Sequence, residues 1–222
     1  MSGNQTDRGW RDHVAVIGSP GSGKIVWARE QARRVPFKEW ESRSVDGAYI
    51  ARVAGIEEHY RKGCGLTPDG FVAPFRAPHH SVSTAGLTGT VSKGWKLRPG
   101  ELSLAHGGVL LLDEATEFRR DAIEAVTSAV RKGRVELRTT LEGPLLSVPA
   151  EFRLIVACNP CPCGRRGHER DDRHCRCSEV EVSRYMGRLG PLLELCRVVP
   201  REEWQREVKE IVRRRESEAE AS

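Results

Sequence analysis

The chain has 222 residues, 30% of them charged, and a net charge of +5 at pH 7. That length holds one sizeable core, with or without an appendage. The mild positive balance is compatible with a nucleic-acid partner. No run approaches the ~20 apolar residues of a membrane span, and the opening Met1-Ser-Gly-Asn-Gln-Thr-Asp7 lacks the regions of a secretory leader, so a soluble cytoplasmic protein without a membrane partner is expected.

The first element is the apolar run His13-Val-Ala-Val-Ile17, which predicts a buried parallel strand. Gly18-Ser19-Pro20-Gly21-Ser22-Gly23-Lys24-Ile25 follows it directly. This is the phosphate-binding pattern G-x-x-x-x-G-K-[S/T] with its last letter changed. Its glycines let backbone N–H groups turn inward around phosphate oxygens, its lysine reaches the β- and γ-phosphates, and its hydroxyl normally holds Mg²⁺. Ile25 takes the place of that hydroxyl. Lys24 to Arg34 predicts a helix stopped by Pro36, so the loop sits between a strand and a helix N-terminus. The expected ligands are ATP and Mg²⁺; the plainer alternative is a glycine-rich turn that binds nothing.

Further along, Gly108-Val-Leu-Leu-Leu112-Asp113-Glu114 reads as a buried strand with two carboxylates at its tip. The first acid is placed to hold Mg²⁺ and the second to polarise an attacking water; an acidic strand end capping the next helix is the alternative. Phe118 to Lys132, with Phe118, Ile123, Val126 and Val130 at helical spacing, predicts an amphipathic helix. Val135–Arg138 and Leu145–Val148 flank Gly143-Pro144 and predict a hairpin. Phe152–Cys158 predicts another buried strand, with Asn159 at its tip to sense a γ-phosphate or orient water.

Five of the seven cysteines fall between Cys158 and Cys177. Cys161-x-Cys163 and Cys175-x-Cys177 bracket a loop, and four thiolates satisfy tetrahedral zinc in a closed, structural site. Cys158, His168 and His174 are substitute ligands, and free thiols or a redox pair are the alternatives. The loop also carries Arg165, Arg166, Arg170, Arg173 and Arg176, which fits contact with DNA phosphates or a solvated surface diluted by Glu169, Asp171 and Asp172. His79 and His80 invite a metal reading, but neighbours on a strand or helix point apart. From Arg201 onward the chain is dense in charge, with Trp204, Val208, Ile211 and Val212 in a narrow apolar stripe suited to packing on the chain's own core.

Five segments in one order resemble the magnesium chelatase-like ComM/YifB branch of AAA+ ATPases. They are Gly18 to Lys24, Pro74 to Ser81, Arg98 to Glu101, Leu104 to Glu114 and Asn159 to Gly164. The resemblance runs from about Val14 to Pro191. It implies an α/β P-loop NTPase of AAA+ type: an αβα sandwich with a parallel central sheet, β-hairpin insertions and a zinc-stapled loop. An N-terminal tail is expected at 1–12, the AAA+ core at 13–200 and a charged C-terminal helix or tail at 201–222. Within the core the resemblance implies an insert at about 65–103, a hairpin at about 135–149 and the cysteine-rich loop at 158–177. By the same resemblance Lys24 contacts phosphates, Asp113 supports Mg²⁺, Glu114 activates water, Asn159 acts as sensor, and the chain joins a homo- or hetero-oligomeric ring.

The sequence departs from the family pattern at Ile25 and again after Gly190-Pro-Leu-Leu193. There the family carries Asp-Arg, its arginine being linked to a neighbour's site; here Glu194-Leu195 stands, with Arg197 two places late. The family's N-terminal domain and its C-terminal helical lid are expected to be absent. The expected function is therefore nucleotide binding with weak or no hydrolysis unaided. An active DNA-coupled ATPase or branch-migration motor subunit, a zinc-organised DNA-binding or scaffold module, and a truncated product are the other readings.

Overall fold

The computed structural model describes residues 12–35, 65–67, 70–92, 96–138, 145–167 and 175–220. A five-stranded parallel sheet runs through the middle, in the order β11-β1-β10-β7-β4. Its strands are β1 (Val14–Ile17), β4 (Phe75–Arg76), β7 (Val109–Leu112), β10 (Arg153–Cys158) and β11 (Arg197–Val198). β7 and β10 are buried at every position. That is why they read as unbroken apolar runs: a parallel sheet is covered on both faces and has no polar side to alternate with.

Successive side chains still leave opposite faces, and two cores result. Leu110, Leu112, Leu154 and Val156 pack on one side with Phe118, Ile123, Val126, Leu189 and Leu192. Val109, Leu111, Ile155 and Ala157 pack on the other with Val14, Val16, Trp27, Ala28 and Trp204. Helix α4 (Arg120–Lys132), with α5 (Glu179–Gly187) and α6 (Gly190–Leu193) near it, covers the first face; α1 (Lys24–Arg33) and α7 (Arg201–Glu220) cover the second. The architecture is an αβα sandwich.

Helix α4 starts two residues later than the apolar spacing suggests. Phe118 and Arg119 have extended backbone, although Phe118 stays buried. Burial supplies the periodic signal while the backbone has not yet turned helical. Gly133, at φ 65°, closes α4 by donating its N–H to the Ala129 carbonyl. Two short helices, α2 (Thr84–Thr88) and α3 (Glu101–Leu104), precede β7, and three two-stranded antiparallel pairs accompany the sheet. These pairs are β2–β3 (Gly65–Thr67, Gly70–Val72), β5–β6 (Gly89–Val91, Leu97–Pro99) and β8–β9 (Arg134–Arg138, Leu145–Pro149). Leu97, Val148, Leu137 and Leu146 form a third, small cluster that joins the last two pairs. Gly143-Pro144, like the segment around Pro36, lies outside the described residues.

At the N-terminal edge of the sheet, Arg153 is buried and donates to the Gln31 amide oxygen at 2.9 Å and the Asp12 carbonyl at 3.1 Å. Beside it the Leu154 N–H donates to His13 Nδ1 at 3.0 Å. Burial first, and then the Arg153 charge, hold the His13 imidazole below its ordinary value of 6.5. The unfolded chain therefore takes up this proton before the folded chain does as pH falls. Stability is undiminished above about 6.5 and is lost as pH drops through that value toward the lower folded one. The urea midpoint should fall between pH 7.5 and pH 5.5, and His13→Asn, which keeps an acceptor without the titration, should flatten that fall. Identical slopes for the two proteins would remove His13 from the cause.

Candidate nucleotide site and cysteine cluster

The sheet register brings the candidate residues to one edge. Ile17 pairs with Cys158, and Val156 with Leu112. The residues that follow, Gly18, Asn159 and Asp113, therefore leave the C-terminal ends of three neighbouring strands together. In open α/β sheets this is where ligands bind, above strands whose connections diverge. Here β10 returns from one side and the chain then crosses β1 to reach β11.

The loop stays tied to the sheet at its start, where the Gly18 N–H donates to the Cys158 carbonyl at 3.1 Å. Ser22 closes the next turn by donating its hydroxyl to the Ser19 carbonyl at 2.7 Å. Gly21 and Gly23 have φ of 73° and 89°, conformations that side-chain-bearing residues rarely adopt. Gly23 stands at the N-cap of α1, and no side chain caps that helix. Its first-turn N–H groups and positive dipole end are thus left facing the loop.

Lys24 is the buried cation of the site. Its ammonium donates to the Gly18 carbonyl at 2.7 Å, the Ser19 carbonyl at 2.9 Å and the Asn159 side-chain oxygen at 3.4 Å. An ammonium has three donors, so all are engaged, and a phosphate must displace a loop carbonyl to reach it. Burial lowers the Lys24 pKa, opposed by Asp113, Cys158 and Glu114 in that order. Both candidate acids therefore act electrostatically on this lysine. Ile25, the next residue, is 43% exposed and contributes no polar atom.

Asp113 is half-buried and Glu114 exposed. Glu114, at φ 51°, is the one non-glycine residue with positive φ among the described residues. Such strain persists only where the surroundings impose it, and it concentrates at functional sites. His80 Nε2 lies 3.9 Å from the Glu114 carboxylate. His79 and His80 do not point apart as strand or helix neighbours would. They lie in a turn closed by the Val82 N–H on the His79 carbonyl at 2.9 Å, their ring centroids 4.0 Å from each other. Arg197 lies on β11 with its backbone N–H bonded to the His13 carbonyl and its side chain 3.9 Å from Glu203. It belongs to the sheet edge, whereas Leu195 follows α6.

The third wall of the site comes from two features that motif reading passes over. Helix α7 lays Trp204, 0% exposed, directly against Gly18: a Cβ there would stand 2.8 Å from the indole ring. Val208 fills the same role at Gly23, where a Cβ would meet it at 2.6 Å. Glu207 anchors the helix to α1 by accepting from Trp27 Nε1 at 3.2 Å and Arg34 at 2.6 Å, and Arg214 reaches Glu30 at 2.8 Å. The loop glycines thus have two roles, turning inward and admitting α7 from outside. The apolar stripe of α7 is the one sequence signal of this contact.

Gly164, the other feature, comes from the cysteine-rich segment. A Cβ at this position, φ 74°, would lie 3.0 Å from the Pro20 ring and 4.0 Å from the Asn159 side chain. The segment is therefore packed on the loop. Within it the sulfurs of Cys161, Cys163, Cys175 and Cys177 all lie within 4.8 Å of one another. Three of the separations are 3.4, 3.6 and 3.6 Å. A tetrahedral zinc with Zn–S bonds of ~2.3 Å requires sulfurs ~3.8 Å apart, whereas a disulfide requires ~2.05 Å. The set fits the metal and not the bond. The Arg165 backbone N–H leads in pulling the Cys163 thiol down to about 6. Cys158 is not in the set: it is buried in β10, and burial pushes its thiol up to about 11. His168 and His174, with Arg170 and Arg173, lie outside the described residues. Arg166 is paired with Glu179.

A strand, glycine loop and helix opening a parallel sheet, with acidic and polar strand tips beside the loop, define an α/β P-loop domain. The chain belongs to the magnesium chelatase family: the family model described as magnesium chelatase, subunit ChlI, matches residues 9–204. An uncharacterized protein of Mycobacterium tuberculosis is 38% identical over 183 residues, 82% of this chain and 33% of that protein. YifB of Escherichia coli is 34% identical over 185 residues, and the competence protein ComM of Haemophilus influenzae 32% over 183. The chain covers 33% of each of these relatives and so spans about a third of their length. Among solved structures, NtrX from Brucella abortus in complex with ADP aligns with a TM-score of 0.41 and 19% identity, covering 67% of this chain and 26% of that one. No helix among the described residues is long and apolar enough to cross a membrane.

Proposed function

We propose that the chain binds ATP with Mg²⁺ at Gly18–Ile25 and, acting alone, hydrolyses it slowly or not at all. The observation that supports this most is Lys24, a buried cation held by two loop carbonyls at an uncapped helix N-terminus. A polyphosphate would replace those carbonyls and take up the free N–H groups of α1. Asp113 would hold Mg²⁺, which neutralises charge on the β- and γ-phosphates when bound. Glu114 would orient and deprotonate the attacking water, and Asn159, already against Lys24, would report on the γ-phosphate.

The limit on turnover follows from two residues. Ile25 offers the cation no oxygen, and Leu195 stands where the family carries an arginine associated with a neighbouring subunit. Binding tolerates the first loss, because Mg²⁺ readily keeps an additional water. Catalysis tolerates the second poorly, since an arginine supplied in trans is worth ~10³–10⁵ in rate. Calorimetric titration with ATP and Mg²⁺, beside Lys24→Ala, tests the reading. Saturable binding that the variant loses is expected; no heat, or equal heat in both proteins, would overturn it.

The sulfur geometry supports a second component, a structural zinc ion at Cys161, Cys163, Cys175 and Cys177. A closed set of four thiolates leaves no open position for substrate or water, so this ion would fix the loop and take no part in the chemistry. One zinc per chain is expected by elemental analysis of protein purified under reducing conditions.

A further inference from the structure

The cysteine cluster and the phosphate loop share a wall. Asn159 sits at the tip of β10 with its side-chain oxygen on Lys24. Two residues later Cys161, 0% exposed, contributes the first sulfur of the cluster. The Gly164 N–H donates back to the Cys161 carbonyl at 2.9 Å, closing a tight turn that presses Gly164 onto Pro20. Beyond it the Gly167 carbonyl accepts from Arg201, the first residue of the helix whose Trp204 packs on Gly18. Residues 159–167 thus touch the phosphate loop directly, through Lys24 and Pro20, and indirectly through α7.

We propose that metal occupancy of the four-cysteine site sets the nucleotide affinity of the phosphate loop, the turn Cys161–Gly164 being the relay. This rests on both the nucleotide and the zinc readings above. With the metal in place, Cys161 and Cys163 are tied across to Cys175 and Cys177, and the turn between them has one conformation, with Gly164 against Pro20. Without it, only weak sulfur–sulfur contacts of 3.6 Å join the two cysteine pairs, and they no longer hold the turn to one conformation. Pro20 then loses its support, and Asn159 its fixed approach to Lys24. The loop must be ordered again each time nucleotide binds. Coupling between two sites is reciprocal, so nucleotide must also retain the metal.

The experiment uses the full chain loaded with Zn²⁺, stripped with a chelator and then reloaded, with ATP affinity measured in each state. ATP is expected to bind on the order of tenfold more weakly to stripped protein, within the usual span of coupling between sites, and reloading should restore it. ATP should slow the release of zinc to a chromogenic chelator by a similar factor. Affinities agreeing within about twofold would overturn the proposal. Zinc-loaded protein that binds no ATP would overturn it together with the nucleotide reading, and protein that never retains zinc would overturn it together with the zinc reading. Should stripping unfold the chain, Gly164→Val decides. It removes none of the four sulfurs but drives a side chain into Pro20 and strains a backbone whose φ is 74°, so it is expected to keep its zinc and bind ATP at least about fivefold more weakly. Wild-type affinity in zinc-bound Gly164→Val would overturn the relay.

Discussion

Replacing Trp204 with alanine is expected to lower the stability of the chain by about 3–5 kcal/mol, the usual cost of truncating a fully buried large aromatic. Over a domain of this size that is a fall in Tm of roughly 6–20 °C. The indole is 0% exposed and lies in the cluster with Val14, Val16, Trp27 and Val199, on the face of the sheet that α1 and α7 cover. Its Nε1 makes no hydrogen bond among the described residues, so its contribution is packing alone. The consequence goes beyond a cavity, because the ring is what Gly18 rests on. Removing it frees the first residue of the phosphate loop, and ATP affinity should fall along with stability. Trp204→Phe, which keeps an aromatic ring against the glycine, should recover most of both. Urea denaturation of the three proteins checks this; a loss below about 1 kcal/mol in Trp204→Ala would mean that α7 is not seated on the loop in solution.

The same helix shows where a sequence stops being informative. Strands β1, β7 and β10 were legible because a strand buried on both faces leaves no choice but consecutive apolar residues. Strands β4 and β11 were not, since two residues each, Phe75–Arg76 and Arg197–Val198, carry no pattern. Their place in the sheet is set by register with β7 and β1. The stripe of Trp204, Val208 and Ile211 predicts that α7 covers something apolar. It points to the chain's own core, which here includes Val14, Val16, Trp27 and Val199, but not to the phosphate loop, because the loop meets α7 through Gly18 and Gly23, which have no side chains to complement. Lys24, Asp113, Glu114 and Asn159 could be named from motif and spacing, and the register explains how they meet. The strained backbone of Glu114, the approach of His80 to it and the seat of Gly164 on Pro20 come from tertiary packing, with no local signature. For the cysteines the opposite holds. Spacing restricts the ligand set but leaves Cys158 open as a candidate, and it is the direction of β10 that buries Cys158 away from the other sulfurs.

Ile25→Thr is the substitution expected to change the behaviour of the site most at the smallest structural cost. Ile25 is 43% exposed and lies in the first turn of α1, so the exchange should alter stability by no more than about 0.5 kcal/mol. In the parent chain Mg²⁺ should change ATP affinity by less than about threefold, because a water in the hydroxyl's place leaves the cation without a direct bond to the loop. With threonine present, a protein oxygen meets the cation directly. A contact to a charged group contributes about 1.5–3 kcal/mol, so Mg²⁺ should tighten ATP binding roughly ten- to hundredfold. Turnover should rise with it but stay slow, since Leu195 still provides no arginine to a neighbour and that deficit alone is ~10³–10⁵. Isothermal titration with and without Mg²⁺, and phosphate release under saturating ATP, measure the two effects separately. Equal Mg²⁺ dependence in both proteins would mean that Asp113 and water complete the cation's shell without position 25. If affinity responds and turnover does not, the cation site is competent and the rate is limited by what a second subunit must bring.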